Sequence, residues 1–277
     1  MPENLKSLVD QLPDADARGM YATEMDKEKI ERVLAEILAG GRASVAGLVA
    51  MLVPPGEGDD GKAHYALHCL GNYILQRKDE NARRQYSETL AGELATRPKA
   101  VRAFLCQELQ WFGRREAVAA LGQLLTDEDL VEPAVMALTA IRDGAAEQLR
   151  AALPKVKGKC LLNVVHGLAA VADLQAADVF REALGNEDRE VRLAAGAGLA
   201  RVGDEPAGRL LIEAAERAEG WERIEQTKHC LVLAERLAAA DKKDAAAKVY
   251  QHFAASRRDP SERYIVELSQ KALAGLQ

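Results

Sequence analysis

Aromatic residues make up only 4% of this 277-residue chain, beside 48% apolar residues in all. So few rings argue against a core built on large side chains. The Ala- and Leu-rich remainder suits helices packed at close range. Runs of β-branched residues bounded by turn residues are nearly lacking, which excludes a strand-based fold. There is no CxxC pair. The four cysteines, Cys69, Cys106, Cys160 and Cys230, are far apart and read as small buried thiols in a reducing compartment, not as a disulfide framework. No stretch approaches the roughly 18 uninterrupted apolar residues of a membrane span. Residues 1–10 include Glu3 and Asp10 and lack an apolar run, so no signal peptide is expected. A net charge of -6 argues against a general nucleic-acid binder held by a basic surface. A soluble, cytoplasmic protein is the expectation.

What is present is a helical-hairpin unit that recurs about every thirty residues. It reads most clearly from Ala183 to Ala207, through Asp188-Arg189-Glu190-Val191-Arg192 and on to Val202-Gly203-Asp204. Phe112-Gly113, Ile141-Arg142-Asp143-Gly144, Val171-Ala172-Asp173 and Val202-Gly203-Asp204 occupy equivalent places, at steps of 29, 30 and 31 residues. Each anchor follows one apolar helix pattern and precedes another: Ala117-Val118-Leu121-Leu124-Leu125, Ala146-Leu149-Leu153, Ala177-Val179-Phe180-Leu184, then Leu210-Leu211-Ala214. Spacings of three and four put one apolar face on each helix. Gly or Asp at the anchor suits a tight turn, Gly as a left-handed C-cap and Asp as the next N-cap. A repeat of this length means a solenoid.

Start signals agree with that reading. Thr126-Asp127-Glu128-Asp129 predicts an N-cap with an acidic first turn, and Asp259-Pro260-Ser261-Glu262 a stronger one. Pro98 and Pro133 fall in first turns. Helices are predicted near 27–38, 44–52, 62–76, 81–96 and 98–111, and later near 221–240, 241–257 and 260–276. Pro54-Pro55-Gly56-Glu57-Gly58-Asp59-Asp60-Gly61 is the clearest loop. Residues 1–25 are expected to be an N-terminal extension or short cap, and residues 26–277 a single solenoid domain.

The run from Asp188 to Arg192, with Ala194, Ala195, Leu199, Val202, Gly203 and Asp204, resembles the HEAT-like repeat of phycobilin lyases and many bacterial scaffolds. About four units, residues 98–219, carry the resemblance. It implies an all-α, right-handed α-solenoid of about eight HEAT-like hairpins, with second helices lining the concave side. It is specific for fold and weak for function, because such repeats serve many roles.

Several motifs have plain structural readings. Gly56 to Lys62 matches G-x-x-x-x-G-K, but Ala63 stands where a magnesium-holding Ser or Thr is needed. The preceding segment also reads as helix, so a flexible loop is expected. His64 and His68 share a helix face at zinc-ligand spacing, yet Tyr65 follows His64 and no third ligand is evident. Ring nitrogens bonded to neighbours are expected there, with no metal and no cofactor. None of the five histidines (64, 68, 166, 229, 252) is followed by Glu, which argues against the paired His-Glu motifs of deoxyhypusine hydroxylase, an iron enzyme on the same repeat. His-Cys-Leu occurs at 68–70 and 229–231, several repeats apart, and reads as similar positions on two first helices. Gly196-Ala197-Gly198 reads as close helix packing.

The surface feature that points to function is the stretch Arg77–Arg115. It holds nine cations against five acids, a net +4 in an acidic chain, and six aromatics lie between Tyr65 and Phe112. Arg83-Arg84 and Arg114-Arg115 fall near the starts of two second helices, where cations oppose the helix dipole. Residues that cost stability are candidates for binding. The expectation is therefore a non-catalytic protein-interaction scaffold or adaptor with no catalytic residues. Its concave face would hold a protein partner with an acidic segment through Arg83, Arg84, Arg114 and Arg115, with Trp111 beside them. A phycobilin lyase-like chromophore protein is one alternative, implied by the repeat type. A nucleic-acid-binding solenoid like the alkylpurine DNA glycosylases is another, with Trp111 and Trp221 as candidates by residue type alone. The acidic total counts against nucleic acid.

Overall fold

The computed structural model describes residues 4–16, 21 and 25–276, so most of the expected N-terminal segment 1–25 lies outside the described residues except 4–16, 21 and 25. All regular structure among them is helical, as the composition demands. Sixteen α-helices follow in order: α1 Leu5–Asp10, α2 Lys27–Ala39, α3 Gly41–Ala50, α4 Gly61–Arg77, α5 Glu80–Glu93, α6 Lys99–Phe112, α7 Arg115–Gly122, α8 Val131–Ile141, α9 Ala145–Ala152, α10 Gly158–Val171, α11 Ala177–Ala183, α12 Arg189–Val202, α13 Ala207–Arg217, α14 Gly220–Ala239, α15 Lys243–Ser256 and α16 Arg263–Leu276. The helices α6, α8, α10 and α12 end at Phe112, Ile141, Val171 and Val202, the four anchors read from the sequence. No single helix among the described residues is long and apolar enough to cross a membrane.

The chain forms two compact units, residues up to Val156 and residues from Lys157. In the first, consecutive helices alternate between two rows. The α2, α4, α6 and α8 helices pack side by side in one row, and α3, α5, α7 and α9 in the other. This is the stack of helical hairpins that the thirty-residue period requires, since one hairpin alone cannot bury its apolar face. Leu67, Leu70, Leu105, Leu109 and Leu138 fill the space between rows. The α1 helix lays Leu5, Leu8 and Val9 against the first hairpin. In the second unit α10, α12 and α14 form one row, α13 and α15 pack beside one another, and α16 covers α15.

Glycine sets the closest approaches. A Cβ on Gly71 of α4 would enter the ring of Phe112 of α6, and one on Gly198 of α12 would lie 2.7 Å from the ring of Phe180 of α11. The Gly196-Ala197-Gly198 run is thus a packing motif, as its setting within an apolar helix predicts.

Two start signals act differently from the sequence reading. The Asp127 carboxylate accepts from the backbone N–H of Asp129 at 3.0 Å, shaping a turn, and α8 begins only at Val131. Asp259 caps a 3-10 turn, Pro260–Glu262, and α16 follows it. In both places a short Asx-type bond forms two residues on and delays the helix.

The helix ends that turn into second helices are not uniform. Gly203 takes the left-handed conformation, φ +69°, as a C-cap glycine does. At Lys78 and Arg142 of the first unit the φ values are +54° and +65° with a full side chain, which costs about 1 kcal/mol each. Arg142 is also the centre of a γ-turn, in which the N–H of Asp143 donates to the carbonyl of Ile141 at 2.8 Å. Its ψ of -53° is that of the rare, strained γ-turn hand.

Candidate functional site

Three turns, α4–α5, α6–α7 and α8–α9, line one edge of the first unit, and the arginines singled out in the sequence tie them together. Arg83 sits in the second turn of α5. Its Nε donates to the carbonyl of Phe112 at 3.1 Å and its Nη2 to that of Gly113 at 3.3 Å. It thus satisfies carbonyls that the end of α6 leaves open. Arg114 is the residue before α7; its guanidinium pairs with Glu80 at the start of α5, and its backbone N–H donates to Ser87 Oγ at 3.0 Å. Arg115 opens α7 and reaches forward to Asp143 Oδ1 at 2.9 Å in the α8–α9 turn. Arg84 is exposed and donates to Asn81 Oδ1 at 2.9 Å.

Cations at these helix starts therefore have local compensation. Asp79 caps α5, Glu80 and Glu116 stand in first turns, and Arg114 and Arg115 are each paired with a carboxylate. Arg83 and Arg114 hold the repeats in register. Arg84 and Arg115 remain on the surface, and the side chain of Arg115 is 73% exposed.

Trp111 stands at the last turn of α6, on the same edge, and is 65% exposed, an unusual position for the largest apolar side chain. It belongs to a face that sequence reading missed. Beyond Lys99 and Arg102 in its first turn, the outward residues of α6, Ala103, Phe104, Gln107 and Trp111, carry no charge, and Glu108 between them is buried. On α4, residues 63–76 contain no Asp, Glu, Lys or Arg, and Leu75 is exposed near Trp111's end of the row. On α8 the run 133–141 is likewise uncharged and exposes Met136. In a chain with 29% charged residues, three neighbouring helices whose outer faces are uncharged past the first turn stand apart. The signal in the sequence was a charge-free run on α4, another on α8 and one on α6 broken by Glu108, but only the row assignment shows that they adjoin.

The two histidines of α4 are bonded to neighbours. His64 Nε2 lies 3.2 Å from Asp60 Oδ2, and the ring packs edge-on against Phe104. His68 Nδ1 lies 3.1 Å from Glu108 Oε1. Burial pushes the Glu108 carboxyl up, while His68 and Tyr86 pull it down less strongly, leaving it raised. The neighbouring thiol of Cys69 is also pushed up by burial, against a lowering hydrogen bond with Tyr65, so it is not an activated nucleophile. Among the described residues no three His, Cys, Asp or Glu side chains converge as metal ligands. The Gly56–Lys62 loop turns its own acids inward: Asp60 Oδ2 accepts from the N–H of Val53 at 2.9 Å and Asp59 Oδ1 from that of Gly61 at 3.2 Å. The segment before it is the helix α3, so the strand–loop–helix setting of a phosphate loop is missing. Trp221, the other tryptophan, is 53% exposed on α14 with the Arg189 guanidinium 5.6 Å from its ring centre.

No protein-family model and no curated protein sequence matches this chain. Solved structures similar to it include an engineered protein, 19% identical over 98% of this chain and 78% of that one, with a TM-score of 0.46. The complex of CpcE and CpcF of phycocyanin lyase from Nostoc sp. PCC7120 is 16% identical over 99% and 94%, with a TM-score of 0.36. A designed armadillo repeat protein in complex with peptide (KR)4 is 15% identical over 98% and 100%, with a TM-score of 0.29. At TM-scores below 0.5 these likenesses carry no functional argument.

Proposed function

We propose that this chain is a non-catalytic protein–protein interaction scaffold that holds a partner on the first unit, with Trp111 as anchor and Arg84 and Arg115 beside it. The observation that carries this reading is the exposed Trp111 on α6, the middle helix of three whose outer faces are uncharged past the first turn. Water gains nothing from such a surface, whereas a partner that covers it removes apolar area from solvent. Tryptophan and arginine are also the residues most often found to dominate interface energetics. Arg83 and Arg114 are half-buried in bonds to Phe112, Gly113 and Glu80 and belong to the scaffold, whereas Arg84 and Arg115 stay exposed although each has a polar neighbour.

The test compares capture of partners from host lysate by wild type, Trp111→Ala and the Arg84→Glu/Arg115→Glu double variant. Losing a central tryptophan anchor is expected to cost about 2 kcal/mol of binding, close to 30-fold in affinity. The double reversal is expected to release the same partner. Both variants should keep the wild-type melting temperature within a few degrees, since the replaced side chains are exposed. The same partners held equally by all three proteins would sink the proposal.

A further inference from the structure

We infer that the edge carrying the α4–α5, α6–α7 and α8–α9 turns is a docking track for an extended acidic peptide segment with one large apolar residue at its centre, gripped by Lys78 and Arg142 on either side of Trp111. The inference rests on the reading of Trp111 as a partner anchor and adds the spacing of the partner's acidic segment and two residues not offered as contacts by the sequence.

The register of the edge comes from its own bonds. Arg83 to Phe112 and Gly113 sets the first turn against the second, and Arg115 to Asp143 sets the second against the third. Lys78 stands in the first of these turns, Trp111 at the second and Arg142 in the third. Lys78 and Arg142 are both exposed, and neither has a carboxylate partner among the described residues. The acids nearby are already engaged: Glu80 with Arg114, Asp143 with Arg115, and Asp79 with the N–H of Ala82. Arg77, lying against the ring of Tyr73 at 5.4 Å, adds a third unpaired cation at the first turn. The edge is thus positive within a chain of net charge -6.

The positions themselves are unusual. Both residues have positive φ, where Gly is the easiest choice, and Arg142 occupies a strained γ-turn. A cation at a helix C-terminus gains from the helix dipole, so a purely structural role is the competing explanation. It predicts that removing the cations lowers stability. A binding role predicts that glycine there relieves the backbone and removes only the contact.

Neighbouring helices in one row lie roughly 10 Å apart, so the turns that carry Lys78 and Arg142 stand about that far to either side of the end of α6. A polyproline II segment rises about 3.1 Å per residue with three residues per turn, so an acid three residues before and another three after its apolar residue project to the same side, about 9 Å away. Lysine and arginine then pair with carboxylates while the central side chain covers the indole.

The experiment uses the full chain with Trp221→Phe, so that Trp111 alone reports by fluorescence. The probe is a synthetic nine-residue peptide with a central Leu, Glu three residues to each side and Ser elsewhere. Its control has Gln for both Glu. The expected result is saturable change with the Glu peptide, at least tenfold weaker binding of the Gln peptide, and a Lys78→Gly/Arg142→Gly variant that binds the two alike while melting no lower than its parent. Equal binding of both peptides to the parent would overturn the track and leave the Trp111 anchor standing. A variant that melts markedly lower would show that the two cations serve the helix ends, and would also overturn the track. No response of Trp111 to either peptide would overturn the track and the anchor together.

Discussion

A carboxyl group with only 3% of its surface exposed has to carry a proton or a cation, and Glu108 is such a group. The Tyr86 hydroxyl has one proton to give. It lies 3.0 Å from the carbonyl of Leu67 and 3.3 Å from Glu108 Oε2. Leu67 and Glu108 Oε2 compete for that one proton, and burial leaves the Glu108 carboxyl raised above its ordinary value. His68 Nδ1 lies 3.1 Å from Oε1, and the chain of contacts pins α4, α5 and α6 together. Glu108→Gln reproduces the donor and the acceptor, and is expected to change stability by under about 1 kcal/mol. Glu108→Ala leaves Tyr86 and His68 facing a void and should cost about 2–3 kcal/mol. Urea unfolding of the two variants checks this; equal losses would mean that the carboxylate is ionised. A group whose folded pKa is raised favours the folded state at low pH, so the Glu108 contribution fades as pH rises above the ordinary carboxylate range.

At the scale of elements, α14 shows how a long helix is held from both flanks. Toward α12, the missing side chain at Gly196 makes room for Gln226 and His229, and Gln226 Nε2 donates to the carbonyl of Arg192 at 3.3 Å. Burial pushes His229 down to about 4. Toward α15, the Arg257 guanidinium donates to Thr227 Oγ1 at 3.1 Å and to Glu216 Oε1 at 2.6 Å, and lies over the Phe253 ring at 4.8 Å. Burial raises Glu216, but hydrogen bonds from His252 and Arg257 and the charges of Arg257 and Arg223 outweigh it and bring it to about 2. Both shifts act in one direction. The folded state resists protonating His229, so stability present above about pH 6.5 declines toward pH 4. Glu216 adds stability above about pH 4.5 that is lost toward pH 2. Thermal melts between pH 7 and 3 should fall in two stages, the first flattened by His229→Leu and the second by Glu216→Gln. Arg257→Ala leaves Glu216 without its buried partner and should cost about 3 kcal/mol at neutral pH, read by denaturant unfolding.

Across the whole molecule the period appears a second time, in the ion pairs. Lys99 reaches Asp127 and Arg115 reaches Asp143, each 28 residues on, and Arg192 reaches Glu222 across 30. Such pairs are worth roughly 0–1 kcal/mol each, so they select register more than they supply stability. Raising salt from 0.1 to 1 M is therefore expected to move the melting temperature by less than about 4 °C. A larger fall in thermal melts would show that the lattice of pairs carries the stack.

The thirty-residue period, the helical class and the ends of α6, α8, α10 and α12 were determined by the sequence alone. They depend on local properties: apolar spacing that repeats, and turn residues that stop a helix where they stand. The candidate site was legible only in outline. Composition marked Arg77–Arg115 as basic, but charge counting cannot distinguish a committed guanidinium from a free one. Tertiary structure decided that Arg83 and Arg114 bond across turns, that Glu108 faces inward, and that uncharged faces of α4, α6 and α8 adjoin around Trp111. Each of those facts joins residues from different repeats, and the row that brings them together exists only once the hairpins have stacked.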